Sequence, residues 1–375
     1  MHSEDADSAT NRIIESVSKY YVIKEVITSA PDYTRLIVIP RELGKNQEYI
    51  RLLYRELIQY GYQVILKEEE GYYSMSIYKL KTMSLSTRTF YIFLIATLIT
   101  VMITSYLWVD SWFSTLRSLG ETYSLNEMIT RVLVLATEIL VILGLHETGH
   151  FMASKALKVP STIPVFIPGP PGVSLGTFGA VIFMRALPPT LDDLAIIAMA
   201  GPLAGFLSSI IFSIYGLSLS VVVPETIATS QGAVSLTISP LIFTILGNLI
   251  IKSDHGFLLL SPEALAAYLL LLIHFMNLLP VGQLDGGQLA RSFLTPRKHT
   301  TLGFMIIIVM LIFSLVTRDS FLVGIGIFLL IMFLLTGARP LESVSSFESS
   351  EWGIKRFIGL IIWVALLILT LPIPL

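Results

Sequence analysis

The residues best suited to chemistry in this sequence are His146, Glu147 and His150, which form an H-E-x-x-H pattern in the run HETGH. Residues four apart on a helix lie on one face, so the two imidazoles could bind one metal ion. Glu147 lies beside them and could accept a proton from a metal-bound water, because zinc lowers the pKa of such a water to about 7. The pattern therefore predicts a catalytic zinc site.

The surroundings of this pattern favour the zinc interpretation. It lies inside the apolar run VLVLATEILVILGLHETGHFMASKAL. A charged residue near the middle of a membrane-spanning helix costs about 2.5–3.5 kcal/mol, and the two histidines add further polarity. The alternative is a hydrogen-bonded polar cluster between helices, but a purely structural role for all three residues is hard to motivate.

A catalytic zinc ion needs a third protein ligand, which leaves the fourth position for water. The candidates in or near apolar segments are Glu138, His255, His274, Asp285 and His299. Asp285 stands out in NLLPVGQLDGGQL (277–289), where a proline and glycines allow the backbone to unwind and turn a carboxylate inward. An ordinary Asp-Gly turn would explain this segment taken alone, but the two histidines require a further ligand.

The other candidates have less specific explanations. Glu138 is expected to be a polar group between helices, with a place in a water path as the alternative. His274 could lie next to the metal ligands without binding the metal itself. The commoner alternative is a buried core histidine. His255 and His299 are expected in loops without a special role.

Together the two polar segments resemble the paired signature of the site-2 protease family of intramembrane zinc metalloproteases. HETGH is followed by N-x-x-P-x-x-x-L-D-G, in which these residues match the family's spacing: Asn277, Pro280, Leu284, Asp285 and Gly286. GTFGAVI (176–182) and GPLAG (201–205) resemble segments that members carry between the motifs, and NLLPVGQLDGG is most similar to the archaeal and plant-plastid branch. The resemblance covers about residues 130–295. Gln288 departs from it, since relatives often have His there, but that position is not an expected ligand.

The resemblance implies one Zn²⁺ per chain, held by His146, His150 and Asp285. Glu147 would act as general base and then as proton donor to the departing amine. Asn277 would lie near the substrate backbone or help to hold the developing oxyanion. The implied activity is hydrolysis of peptide bonds in transmembrane proteins.

The same resemblance implies how substrate would bind. GTFGAVI, with Gly176, Phe178 and Gly179, would form a strand edge beside the metal, to which an unwound substrate could add as another strand. A transmembrane helix satisfies its backbone hydrogen bonds internally, so it must unfold locally before hydrolysis. The strand edge would offer replacement hydrogen bonds.

Composition predicts a polytopic α-helical membrane protein. Of 375 residues, 54% are hydrophobic and 14% charged, whereas soluble domains carry about a quarter charged residues. Apolar segments long enough to cross roughly 30 Å of hydrocarbon predict about six to seven spans: 90–109, 129–157, 194–223, 265–279, 301–316, 321–336 and 357–371. The shorter segment 241–251 is expected to be re-entrant or interfacial. The Gly- and Pro-rich stretch 164–184 predicts a small re-entrant β element, with a plain cytosolic hairpin as the alternative.

Residues 1–84 differ from the rest and predict a soluble α+β domain of ferredoxin-like character. Strands are expected at 21–28 and 34–40, a helix at 47–60, and a hairpin formed by 62–66 and 72–78. This appendage is expected to be regulatory or to dock an unidentified partner. The membrane metalloprotease domain would then cover 85–375, with its catalytic core at about 130–295.

Charge predicts the orientation and excludes one class of partner. With the N-terminal domain inside, the inner loops hold most of the Lys and Arg, including Lys155, Lys158 and Arg291. This predicts a multi-pass plasma-membrane protein with a cytoplasmic N-terminal domain.

No basic stripe suggests a nucleic-acid partner, and the absence of cysteine excludes disulfides and thiolate metal sites. Oligomeric state is not predicted.

A transporter or channel with a polar intramembrane metal or proton site is the main alternative, because broken helices and buried His and Asp occur there too. Such proteins usually contain two corresponding interrupted segments from an internal repeat, and no such repeat is found here. A scaffold that keeps zinc for folding is a further possibility, although structural zinc would not need Glu147.

Overall fold

The computed structural model describes residues 2–30, 32–69, 71–80, 86–172, 174–223, 235–251, 256–317, 320–335 and 353–375. The N-terminal region contains α1 (His2–Tyr20), β1 (Tyr21–Ala30), β2 (Tyr33–Pro40), α2 (Asn46–Gln59), β3 (Tyr62–Glu69) and β4 (Tyr72–Lys79). All strands and the helix predicted within residues 21–78 are therefore present. Helix α1 was not predicted, and the boundary expected at residue 84 lies outside the described residues.

The four strands of this region form one antiparallel sheet in the order β1-β2-β4-β3. Alternate residues of β2 are buried, as expected of a strand with one face on a core. Moving β4 ahead of α1 would give the β-α-β-β-α-β element order of a ferredoxin-like domain. The region is thus an α+β domain whose sheet is a circular permutation of that arrangement.

The remaining elements are mostly apolar helices. They are α3 (Thr87–Ser118), α4 (Leu125–Ala156), β5 (Val165–Pro171), β6 (Leu175–Val181), α5 (Leu191–Ser218), β7 (Val221–Val223), β8 (Ile238–Pro240), α6 (Leu241–Ile250), β9 (Phe257–Leu259), α7 (Pro262–Leu278), α8 (Asp285–Phe293), α9 (Pro296–Thr317), α10 (Ser320–Leu335), α11 (Ile354–Thr370) and β10 (Pro372–Pro374). Helix α5 lies centrally and contacts α4, α7, α8 and α11.

Among the described residues, four helices are long and apolar enough to cross a membrane: α3, α4, α5 and Pro296–Val316 of α9. This agrees with a multi-pass membrane protein. The predicted count of six to seven spans is not confirmed, because the other apolar helices are shorter, such as the 17-residue α7. The Gly- and Pro-rich stretch forms the antiparallel β5–β6 hairpin, which packs against α3.

The N-terminal domain packs directly against the membrane helices. Arg51 of α2 donates hydrogen bonds to the Asp193 carboxylate at 3.2 Å and to the Thr190 hydroxyl at 3.0 Å, at the start of α5. The backbone N–H of Leu187 donates to the Gln63 side-chain oxygen at 3.0 Å. The domain's apolar core also includes Ile197 of α5. The domain is therefore docked beside the beginning of α5.

Candidate metal centre

Helix α4 places His146 and His150 one turn apart. The helix begins with a capping box formed by Ser124 and Glu127, which satisfies backbone N–H groups at its first turn. Both histidines are buried, and their Nε2 atoms lie 3.2 Å apart. The spacing of the motif thus brings two imidazole nitrogens to one point inside the helix bundle.

The break between α7 and α8 brings Asp285 to the same point. Helix α7 ends at Leu278, and the chain turns before α8 restarts at Asp285. A side chain at Gly286 would collide with the Leu278 carbonyl, so only glycine permits this tight return. The Asp285 carboxylate consequently lies 3.0 Å from His146 Nε2 and 3.3 Å from His150 Nε2. The predicted ligand set is thereby brought together.

The three donors fit a catalytic zinc site. Tetrahedral zinc with bonds of about 2.0–2.1 Å requires ligand atoms about 3.3 Å apart. The two Nε2 atoms lie 3.2 Å apart, and each lies close to one Asp285 oxygen: His146 Nε2 is 3.0 Å from Oδ2, and His150 Nε2 is 3.3 Å from Oδ1. Two imidazoles and one carboxylate are also a donor set of catalytic zinc, because they leave a fourth position free.

A backbone acceptor orients the His150 imidazole, and a second histidine lies beside His146. His150 Nδ1 lies 2.7 Å from the Ile197 carbonyl oxygen, so it donates its hydrogen there and leaves Nε2 for a metal. His146 Nδ1 lies 3.4 Å from His274 Nε2. The carbonyl of Ile197 carries no side-chain signal, so its role was not predictable from residue types.

The GPLAG segment of α5 provides the space that these rings occupy. A side chain at Gly201 would collide with the His150 imidazole, and one at Gly205 would collide with His274. These glycines leave room for histidine rings between α4, α5 and α7.

Glu147 lies at the edge of this cluster. Its Oε1 is 4.0 Å from His146 Nε2, and its side chain is 15% exposed. Its carboxylate also interacts with the backbone of Ile182, the residue that follows β6. Glu147 therefore lies between the candidate ligands and the β5–β6 hairpin.

The four residues expected to contact substrate occupy different environments. Phe178 is 70% exposed, and a side chain at Gly179 would meet open space. Gly176 is buried instead: its carbonyl accepts a 2.6 Å hydrogen bond from Thr100, and an added side chain would collide with the backbone of α3. Asn277 is half-buried in the last turn of α7. Gly176 thus contacts α3, whereas Phe178 and Gly179 face open space.

The structure also shows where the other candidate ligands lie, except His255, which is outside the described residues. Glu138 is fully buried in α4, and neither of its carboxylate oxygens has a hydrogen-bond partner within the described part of the chain. The expectation that His299 lies in a loop is wrong, because α9 begins at Pro296 and His299 is buried in its first turn. Sequence reasoning also missed the buried pair of Arg131 and Glu263, 2.8 Å apart.

Comparison with known proteins places this site in a family. Residues 134–317 match the profile of Peptidase family M50, and this range contains His146, Glu147, His150, Asn277 and Asp285. Residues 134–317 form a Peptidase family M50 domain. The resemblance to site-2 proteases is thereby confirmed, and the M50 domain begins well after the N-terminal α+β domain.

Several plant proteins are similar to the chain around this M50 domain. The probable chloroplastic zinc metalloprotease EGY1 of Oryza sativa subsp. japonica is 30% identical over 250 residues, covering 65% of this chain and 41% of its own length. EGY1 of Arabidopsis thaliana is 31% identical over 48% of this chain and 33% of its own length. EGY2 of Arabidopsis thaliana is 30% identical over 43% of this chain and 28% of its own length.

The chain therefore spans between about a quarter and two fifths of the length of these relatives. No solved structure matches the chain. None of the similar proteins supports the transporter alternative, and their chloroplastic names give no support to a plasma-membrane location.

Proposed function

We propose that this protein is an intramembrane zinc endopeptidase that hydrolyses peptide bonds of transmembrane proteins. The observation that carries the proposal is the convergence of two imidazoles and a carboxylate at 3.0–3.3 Å inside apolar helices, with Glu147 beside them. The M50 match over residues 134–317 supports the same activity. A metal retained only for folding would not require that fourth, acidic residue.

The residues have distinct roles in this proposal. His146, His150 and Asp285 hold the zinc ion, one per chain. When bound, zinc supplies Lewis-acid chemistry, which lowers the pKa of a coordinated water to about 7. Glu147 accepts the proton of the attacking water and later delivers it to the nitrogen of the departing amine. Asn277 contacts the substrate backbone or the developing oxyanion.

The β6 strand is the proposed docking edge for substrate. Among the described residues β6 pairs only with β5, so its other edge has no strand partner. Phe178 and Gly179 lie open on this strand, and Ile182 just beyond it interacts with Glu147. An extended substrate that pairs with β6 would thus have its backbone near the general base. Because of its contact with α3, Gly176 would support this strand rather than touch substrate.

The membrane arrangement is part of the proposal. We propose that α7, α10 and α11 join the four long helices to give six to seven spans, with the N-terminal domain on the cytoplasmic side. The charge asymmetry of the loops supports this orientation. The docked domain lies at the start of α5, three to four turns from Gly201 and Gly205, which contact the metal-site histidines. Partners are the bilayer, transmembrane substrates and an unidentified ligand of the N-terminal domain.

The proposal is tested by trapping substrates in the host membrane. The full-length chain and its Glu147→Ala variant are each co-expressed with the host's single-span membrane proteins, and new protein termini are identified by mass spectrometry. We expect new termini within or beside transmembrane segments only with the parent chain, and uncut proteins co-purifying with the variant. Identical termini in both samples would contradict the proposal.

A further inference from the structure

A buried histidine outside the predicted ligand set contacts one of the ligands. His274 of α7 is 2% exposed, and its Nδ1 lies 2.6 Å from the carbonyl oxygen of Leu270, one turn earlier in the helix. A carbonyl oxygen only accepts, so Nδ1 of His274 carries the hydrogen. In a neutral imidazole the other nitrogen, Nε2, is then an acceptor.

That acceptor points at the metal ligand His146. His274 Nε2 lies 3.4 Å from His146 Nδ1, and the two rings meet edge-on at an interplanar angle of 72°. For this contact to be a hydrogen bond, His146 Nδ1 must carry the hydrogen. The lone pair of His146 is then on Nε2, the atom that lies 3.0 Å from Asp285.

We infer that His274 is a positioning residue that fixes the tautomer and ring orientation of His146 for zinc. Histidines that bind zinc almost always donate their other N–H to a fixed acceptor. For His150 that acceptor is the Ile197 carbonyl at 2.7 Å. Within the described residues, His146 Nδ1 has His274 in the corresponding place.

The neighbouring helix is shaped around this pair of histidines. A side chain at Gly205 of α5 would collide with His274 Nε2 and would lie 3.1 Å from the Cβ of His146. Gly205 therefore leaves room for both histidines where α5 meets α4 and α7.

This inference rests on the proposed zinc centre, and its test uses metal binding by the full-length protein in detergent. His274→Phe keeps a ring of similar volume but removes the acceptor. His274→Gln can place an amide oxygen near the position of Nε2. The matched control is Tyr268→Phe, which removes a buried 2.9 Å hydrogen bond to the Ile238 carbonyl from the same helix without touching the site.

The measurement is zinc affinity by chelator competition, together with the Co²⁺ absorption spectrum and the thermal midpoint of the metal-free protein. We expect His274→Phe to weaken zinc binding about 10–100-fold and to change the Co²⁺ spectrum. His274→Gln should recover part of the affinity, and Tyr268→Phe should bind zinc like the parent chain.

The possible results distinguish a failure of the positioning role of His274 from a failure of the zinc centre itself. If the parent chain binds one zinc ion and His274→Phe binds it equally tightly, the positioning role is wrong while the zinc centre stands. If the parent chain binds no zinc, the centre itself is wrong. Should His274→Phe fail to fold, the comparison is made with His274→Asn, whose shorter side chain cannot reach His146; parent-like affinity in that variant equally refutes the role.

Discussion

Removing one arginine should weaken the docking of the N-terminal domain on the membrane helices. Arg51 donates to the Asp193 carboxylate at 3.2 and 3.4 Å and to Thr190 at 3.0 Å. The Asp193 side chain is only 3% exposed, whereas that of Arg51 is 30% exposed. Arg51→Ala would therefore leave a buried carboxylate without its cationic partner.

The size of the effect follows from what remains around Asp193. Removing one partner of a buried ion pair costs about 3–5 kcal/mol. Here Arg51 is partly solvated, and Asp193 keeps the 2.7 Å hydrogen bond from the Thr190 hydroxyl at the positive end of α5. We therefore expect a loss of about 1–3 kcal/mol in docking free energy, which corresponds to about 5–150-fold more frequent opening.

The assay is hydrogen–deuterium exchange on the full-length protein. Arg51→Ala should speed exchange in α2 and around residues 190–197, with exchange in the middle of α3 unchanged. The control is Arg55→Ala, an exposed arginine one turn further along α2. Equal exchange rates in the two variants would refute the claim that the Arg51–Asp193 pair holds the domain in place.

Three further perturbations follow from the site. Gly201→Ala should abolish stoichiometric zinc binding, because its methyl group would collide with the His150 ring; normal zinc content by mass spectrometry would contradict this. Phe178→Pro should slow cleavage with zinc content unchanged, since proline cannot donate to an added strand, and unchanged cleavage would argue against docking on β6. Glu138→Gln should keep zinc content and cleavage while maintaining or raising the thermal midpoint, because it removes a buried carboxylate that has no partner within the described residues. Lost cleavage would instead give Glu138 a place in a water path.

The parts of the site that could be predicted were those carried by residue type and spacing. H-E-x-x-H places two proposed ligands and the proposed base on one helical turn, and the Asp-Gly-Gly after an apolar segment contains the proposed third ligand. The strands of the N-terminal domain were predictable because their apolar residues alternate, as in β2. These features depend on a few neighbouring residues, so a single sequence contains them.

The features that could not be predicted depend on backbone atoms or on distant partners. Ile197, whose carbonyl orients His150, lies 47 residues after it in the sequence. Asp193 lies 142 residues after its partner Arg51. Helix α1 was not predicted because its exposed face is strongly polar, although Ile13 and Val17 are buried in the domain core. Hydropathy alone does not give the number of spans, because α7 and α11 have 17 residues each, close to the minimum length for crossing a bilayer.

The N-terminal domain and the metal centre share one structural element. The side chain of Ile197 belongs to the apolar core of the docked domain, and its backbone carbonyl accepts the hydrogen bond from His150. Displacement of the domain would therefore act on the start of α5, the segment that orients His150, one of the proposed metal ligands. This link gives the Arg51→Ala experiment a second readout in zinc affinity.

We propose that Glu147, beside a three-ligand zinc site, is the base in peptide hydrolysis. Zinc stoichiometry and peptide cleavage measured side by side in the parent chain and in Glu147→Gln test this role. We expect one zinc ion per chain in both proteins and cleavage only in the parent. A parent chain without stoichiometric zinc, or a Glu147→Gln variant that cleaves at the parent rate, would contradict it.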